Sequence, residues 1–166
     1  MPGREEYRFE SRWLLHASAE RAWALIEGIV TGSDGALPWP GVRVEPAAVT
    51  VRSGERLGIR VRSPLGYTLR VDAVLDRVDP GRELQARAHG DLDGVGTVSL
   101  VPGTLTSRRT GETRDGCLVV IRWYVRTTRP WMNAAAPLLR PAFVVAHALV
   151  MRAGERGARR ALRGKR

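Results

Sequence analysis

A chain of 166 residues, 43% hydrophobic and 27% charged, has the size and composition of one soluble globular domain with a core of its own. Its single cysteine, Cys117, excludes an intramolecular disulfide framework and a cysteine-based zinc cluster. The net charge of +10 gathers at the end of the chain, where Arg152, Arg156, Arg159, Arg160, Arg163, Lys165 and Arg166 face Glu155 alone.

The first residues carry mixed charge without an apolar h-region, so no secretory signal is expected. The longest apolar run, Ala142 to Met151, contains His147 and falls short of the ~20 residues that span a bilayer. The expected location is cytoplasmic. Residues 7–16 alternate, with Tyr7, Phe9, Ser11, Trp13 and Leu15 on one side and Arg8, Glu10, Arg12, Leu14 and His16 on the other, which predicts a half-buried strand. Ser18 offers an N-cap to a helix whose stripe is Ala22, Trp23, Leu25 and Ile26, ended by Gly28 and the Thr31–Gly35 cluster. A second short helix or turn fills the segment to Trp39-Pro40-Gly41.

From Val42 onward strands dominate. Val44–Arg52 and Leu57–Ser63 flank the turn Ser53-Gly54-Glu55. In Tyr67–Val78, the residues Tyr67, Leu69, Val71, Ala73 and Leu75 share one face, with Val74 the exception on the other. Asp79-Pro80-Gly81 is a turn in which Pro fixes φ and Gly admits positive φ. Leu84, Ala86 and Ala88 mark the next strand, Asp91-Leu92-Asp93-Gly94 turns the chain into Val95–Val101, and Arg108–Gly116 is read as a polar loop. The last strand, Leu118–Thr128, leads into Pro130-Trp131 and a short helical turn over Asn133–Arg140. A main helix follows from Pro141, carrying Phe143, Ala146, Val150, Ala153 and Gly157 on one stripe. Gly154 and Gly157 mark either a close approach to the sheet or the start of fraying. Residues from about 156 to 166 read as a basic tail, either a solvated helix end or a weak contact for an anionic membrane or, as the lesser alternative, nucleic acid.

These elements predict a single α+β domain over 1–166: a curved antiparallel sheet of about seven strands around a long C-terminal helix, in the order β-α-α-β6-α. The wet face is an arginine ladder, with Arg8, Arg12, Arg60, Arg62, Arg70, Arg87, Arg122 and Arg126 near Glu10, Asp72 and Asp76. This order resembles the helix-grip (START/Bet v 1-like) domains, which include the polyketide cyclase/dehydrase and lipid-transfer-like proteins. The wording is similar to that of a bacterial subgroup in Trp39-Pro40-Gly41, Ser63-Pro64-Leu65-Gly66-Tyr67, Gly90-Asp91-Leu92, Val125-Arg126-Thr127-Thr128, Pro130-Trp131-Met132-Asn133, and His147 with Val150-Met151-Arg152. That subgroup often has a Trp-Asn-His-Asp run where this chain has Val145-Ala146-His147-Ala148, so His147 alone matches.

The resemblance implies a cavity between sheet and helix. Its candidate lining is Ser11, Trp13, Tyr67, Leu69, Trp123, Phe143, His147, Val150 and Met151. Several have a plainer alternative: Trp13 and Met151, like Trp23, read first as core, Tyr67 and Trp123 as ordinary packing, and His147 as a core histidine bonded to backbone, while the Ser11 hydroxyl needs a partner in ligand or water. The first reading is binding of a hydrophobic small molecule, lipid-like or polyketide-like. The alternative is a cyclase, aromatase or dehydrase in which His147 or Tyr67 moves protons. No metal or other cofactor is implied, since His16, His89 and His147 fall on separate elements and no phosphate loop or calcium loop is complete. Nucleic acid is not an expected partner, for want of a recognition helix or an aromatic RNA-binding strand. The chain is a monomer or a dimer.

Overall fold

A computed structural model describes residues 6–33, 39–45 and 49–164. Strand β1 (Glu6–Leu15) leads to helix α1 (Ala19–Thr31), then β2 (Val42–Val44), β3 (Arg56–Arg62), β4 (Thr68–Asp79), β5 (Glu83–Gly90), β6 (Leu92–Thr106), β7 (Thr113–Thr127) and helix α2 (Pro130–Gly164). All seven strands form one antiparallel sheet in the order β1-β7-β6-β5-β4-β3-β2, curled into a half-barrel against the long C-terminal helix. This is the helix-grip architecture expected from the element order. The small second helix expected before Trp39 falls on 34–38, outside the described residues, and residues 40 and 41 form a turn.

Local chemistry sets each boundary. Ser18 is the N-cap of α1 and accepts from the Arg21 N–H, while Gly32 closes the helix in the left-handed region at φ +64°. Gly28 does not end α1 but is buried within it. In β4 the register slips between Leu75 and Arg77. This bulge resets the alternation, so Val78 turns back to the core instead of continuing the outward phase. On the outward face Glu10 accepts from Arg12 and Arg122 at 2.7 and 2.9 Å, Arg126 pairs with Glu6, and Arg87 pairs with Asp76.

Four expectations need correction. Of the strand drawn over Val44–Arg52, the described residues show β2 at Val42–Val44 and no strand at 45 or 49–52, while 46–48 lie outside the described residues. Further along, Gly54 N–H bonds Leu75 O and Glu55 O accepts from Leu75 N–H, so this stretch is tied to β4. The loop drawn over Arg108–Gly116 is shorter, because β6 and β7 stay paired out to Thr106↔Thr113. Residues 106–115 are polar or glycine and all exposed, so the hairpin end carries no alternation to read. The break expected before Pro141 is absent: α2 starts with Pro130 and runs through Pro137 and Pro141. Each interior proline removes one helical N–H, the donors that would otherwise reach the carbonyls of Asn133 and Pro137. Finally, residues 156–164 are not a loose tail. Gly157 and Ala158 are buried, and Ala161 and Leu162 pack on the core. Arg21 Nη2 donates to Leu162 O, and Arg159 Nε donates to Leu14 O.

The buried side chains form two clusters, both of which Trp123 touches. The larger joins Trp13, Leu15, Trp23, Leu57, Leu75, Leu100, Val119 and Met151. The smaller is Tyr7, Val125, Met132 and Phe143, under the start of α2.

Candidate ligand cavity

Between the sheet and α2 lies a cavity of about 270 Å³ bordered by both clusters. The inward residues of β1, β3, β4 and β7 make the sheet side, Phe143, Ala146, His147, Val150 and Met151 of α2 lie across from them, and Leu25, Ile26, Ile29 and Val30 of α1 add to the wall. Among the described residues no Asp, Glu, Lys or Arg borders it. The wall is made of apolar side chains, aromatic rings, and the polar groups of Ser63, Thr97, Tyr7, Tyr67, Trp13, Trp39, Trp123 and His147.

Of the candidate lining residues, Trp13, Tyr67, Leu69, Trp123, Phe143, His147, Val150 and Met151 border this space, and Ser11 does not. Ser11 shares the inward phase of β1, but the rings of Phe9 and Trp13 on either side make the wall there and its short side chain is only half-buried. The α1 isoleucines and the β3 residues Ile59 and Val61 were not among the candidates, because short-range alternation does not say which core positions face an empty volume. Trp39 was missed too, although its Trp-Pro-Gly context had marked it out. Its indole Nε1 donates to Val150 O at 2.9 Å, and its ring meets Trp13 edge-on at 5.2 Å. Gly154 permits this arrangement: a Cβ there would lie 2.5 Å from Trp39 Cε2 and 2.8 Å from Trp13 Cζ2. Of the two readings for that glycine, close approach is the one seen. In the same way Gly96 lies under the Trp123 ring across the β6–β7 pair.

Aromatic rings gather where the cavity runs under the start of α2. Tyr67 meets Trp131 and Phe143 at near-perpendicular angles, with centroids 5.5 and 5.9 Å apart. A polar junction holds this end together. Asp91 accepts from Arg70 N–H and from Arg129 Nη2, both at 2.7 Å, and Arg129 Nη2 also donates to Thr68 O. Thr128 Oγ1 donates to Gly90 O, and Thr127 Oγ1 accepts from Arg129 N–H as α2 begins. The Gly90-Asp91 and Thr127-Thr128 motifs are therefore positioning elements, which tie the first turn of α2 to the β4 and β5 ends.

His147 is the titratable histidine of the wall. Its ring stacks on Phe9 with centroids 4.1 Å apart. Burial lowers its pKa from 6.5 to about 4, so the imidazole is neutral near pH 7. Its Nε2 is buried without a hydrogen-bond partner, and so is Trp13 Nε1. Among the described residues no cluster of three or more His, Cys, Asp or Glu is placed to hold a metal ion.

No family model and no curated protein matches this chain. Solved structures do. The Zhui aromatase/cyclase from Streptomyces sp. R1128 is 15% identical over 95% of this chain and 96% of its own, with a TM-score of 0.59. A protein from Thermus thermophilus is 16% identical over 95% of this chain and 99% of its own, at 0.58. Norcoclaurine synthase from Thalictrum flavum, solved with dopamine and hydroxybenzaldehyde, is 15% identical over 98% and 90%, at 0.55. What these share with this chain is the START-like helix-grip fold.

Proposed function

We propose that this chain binds a hydrophobic small molecule, lipid-like or polyketide-like, in the cavity between sheet and α2. The observation that carries the reading is about 270 Å³ of space in an otherwise packed core, with no charged side chain among the described residues of its wall. A cavity of this size is costly to leave empty, and burying an apolar guest in it is favourable by ~25 cal/mol for each Å² removed from water. The similarity to an aromatase/cyclase keeps the enzyme reading in view. It gains nothing from the described wall residues, which offer His147 no carboxylate, and a base with a pKa of about 4 is a weak proton acceptor near pH 7.

Filling the space tests the reading. Val98 is half-buried and borders the cavity, so Val98→Trp should occupy it. Wild-type protein should bind the neutral dye Nile red and the variant should bind it at least about tenfold more weakly while keeping its circular dichroism. Equal dye binding by both proteins would contradict the cavity as the site.

A further inference from the structure

Two residues of the cavity wall, Trp13 and His147, each carry a buried polar atom without a partner, covered in this structure, and these atoms constrain a guest that opens them. Trp13 is 5% exposed and borders the cavity, and its Nε1, which can only donate, has no acceptor. Its neighbour Trp39 shows the contrast, since that indole is satisfied by Val150 O. The second unmatched atom is His147 Nε2. His147 lies seven residues before Gly154, against which Trp13 packs, so the Trp13 ring meets α2 about two turns, or ~10 Å of helix rise, beyond His147. A buried donor left without a partner is costly, which makes such atoms rare in native folds.

Resting on the binding reading above, we propose that the guest is a neutral, mostly apolar molecule with a hydrogen-bond-accepting oxygen, such as a carbonyl, ether or hydroxyl, that seats on Trp13 Nε1, with His147 Nε2 as a second polar contact. Ionised guests are disfavoured. A carboxylate would lose its water and find no cation among the described wall residues, and an ammonium would find no carboxylate.

Three ligands matched in shape test this: acetylnaphthalene, ethylnaphthalene and naphthoate, titrated calorimetrically at neutral pH. The ketone should bind about five- to tenfold tighter than the ethyl compound, and naphthoate weakest. In Trp13→Phe the ketone's advantage should vanish while ethylnaphthalene still binds. Should that variant fail to fold, nitrogen-15 spectra of wild-type protein serve instead. One of its five tryptophan indole N–H signals should move downfield with the ketone and not with the ethyl compound. Equal affinity for ketone and ethyl compound, or tightest binding of naphthoate, overturns the proposal but leaves the cavity reading standing. Binding of none of the three contradicts both.

A separate observation concerns the outer face of α2. Trp131, Leu138, Val145 and Leu149 are 42%, 86%, 57% and 44% exposed and fall on one stripe of the helix. Exposed Arg152, Arg156, Arg160 and Arg163 continue the same line towards the C-terminus. We propose that this face docks on an anionic phospholipid membrane, the apolar half entering the headgroup boundary and the arginines meeting phosphates. Charge complementarity selects that occupant, in a protein of net charge +10. The protein should co-sediment with vesicles of phosphatidylcholine and phosphatidylglycerol, and not with phosphatidylcholine alone. Val145→Glu and Arg156→Ala should each weaken this by about fivefold or more with unchanged thermal unfolding. Failure to sediment with the anionic vesicles overturns the proposal. So does a wild-type dimer in solution that Val145→Glu splits, which would assign the stripe to a second copy.

Discussion

His147 gives the clearest residue-scale prediction. Its folded pKa lies near 4 against 6.5 when unfolded, so protonation favours the unfolded chain. Stability is full above about pH 6.5, falls by about 1.4 kcal/mol per pH unit as pH drops towards 4, and levels off below that, a loss on the order of 3 kcal/mol. Denaturation across that range should show the slope in wild type and a flatter profile in His147→Leu. Gly154 is the second such residue. Because the indole rings of Trp39 and Trp13 would both obstruct a Cβ, Gly154→Ala should destabilise by about 1–3 kcal/mol, despite alanine's higher helix propensity, and chemical denaturation measures this. The sequence marked His147 by its isolation on an apolar helix, and left open whether Gly154 meant contact or fraying. It misplaced Ser11, because strand phase gives a side chain's direction but not its reach.

At the scale of elements, the Asp91–Arg129 pair ties the start of α2 to β4 and the β5–β6 turn. The side chains are 20% and 32% exposed, and hydrogen bonding to Arg129 holds Asp91 below the ordinary carboxylate range. Its contribution is therefore present above about pH 3.8 and is lost as pH falls through the lowered folded value, below the window in which His147 acts. Asp91→Ala should cost about 2 kcal/mol and loosen the aromatic end of the cavity, seen as a lower unfolding midpoint in urea. The end of α2 is likewise structural. Removing residues 157–166 takes away buried Ala158 and the packing of Leu162, and should lower stability by roughly 2–4 kcal/mol. A free tail would leave the unfolding midpoint unchanged. That part of the helix was misread because arginines dominate its composition, while the residues that dock it are Gly, Ala and a single Leu.

For the whole molecule, the order of strands and helices was legible because alternation, turn residues and a capped helix each leave a local mark. The sheet's continuity past Val101 and the volume left between sheet and helix were not, since both depend on how distant elements meet. Trp123 shows the difference: its phase was readable, but its seat over Gly96 comes from the β6–β7 register. The result is a half-barrel covered by a long helix around a space whose described wall residues are uncharged, two of them, Trp13 and His147, each with a buried polar atom that lacks a partner. The central claim is that this space is occupied by a neutral apolar molecule. Native mass spectrometry of the gently purified chain tests it most directly. The account predicts a bound mass that extracts into organic solvent, carries no charge of its own, and is absent from Val98→Trp. A folded chain that stays empty, and remains empty after incubation with neutral ketones and alcohols, would contradict it.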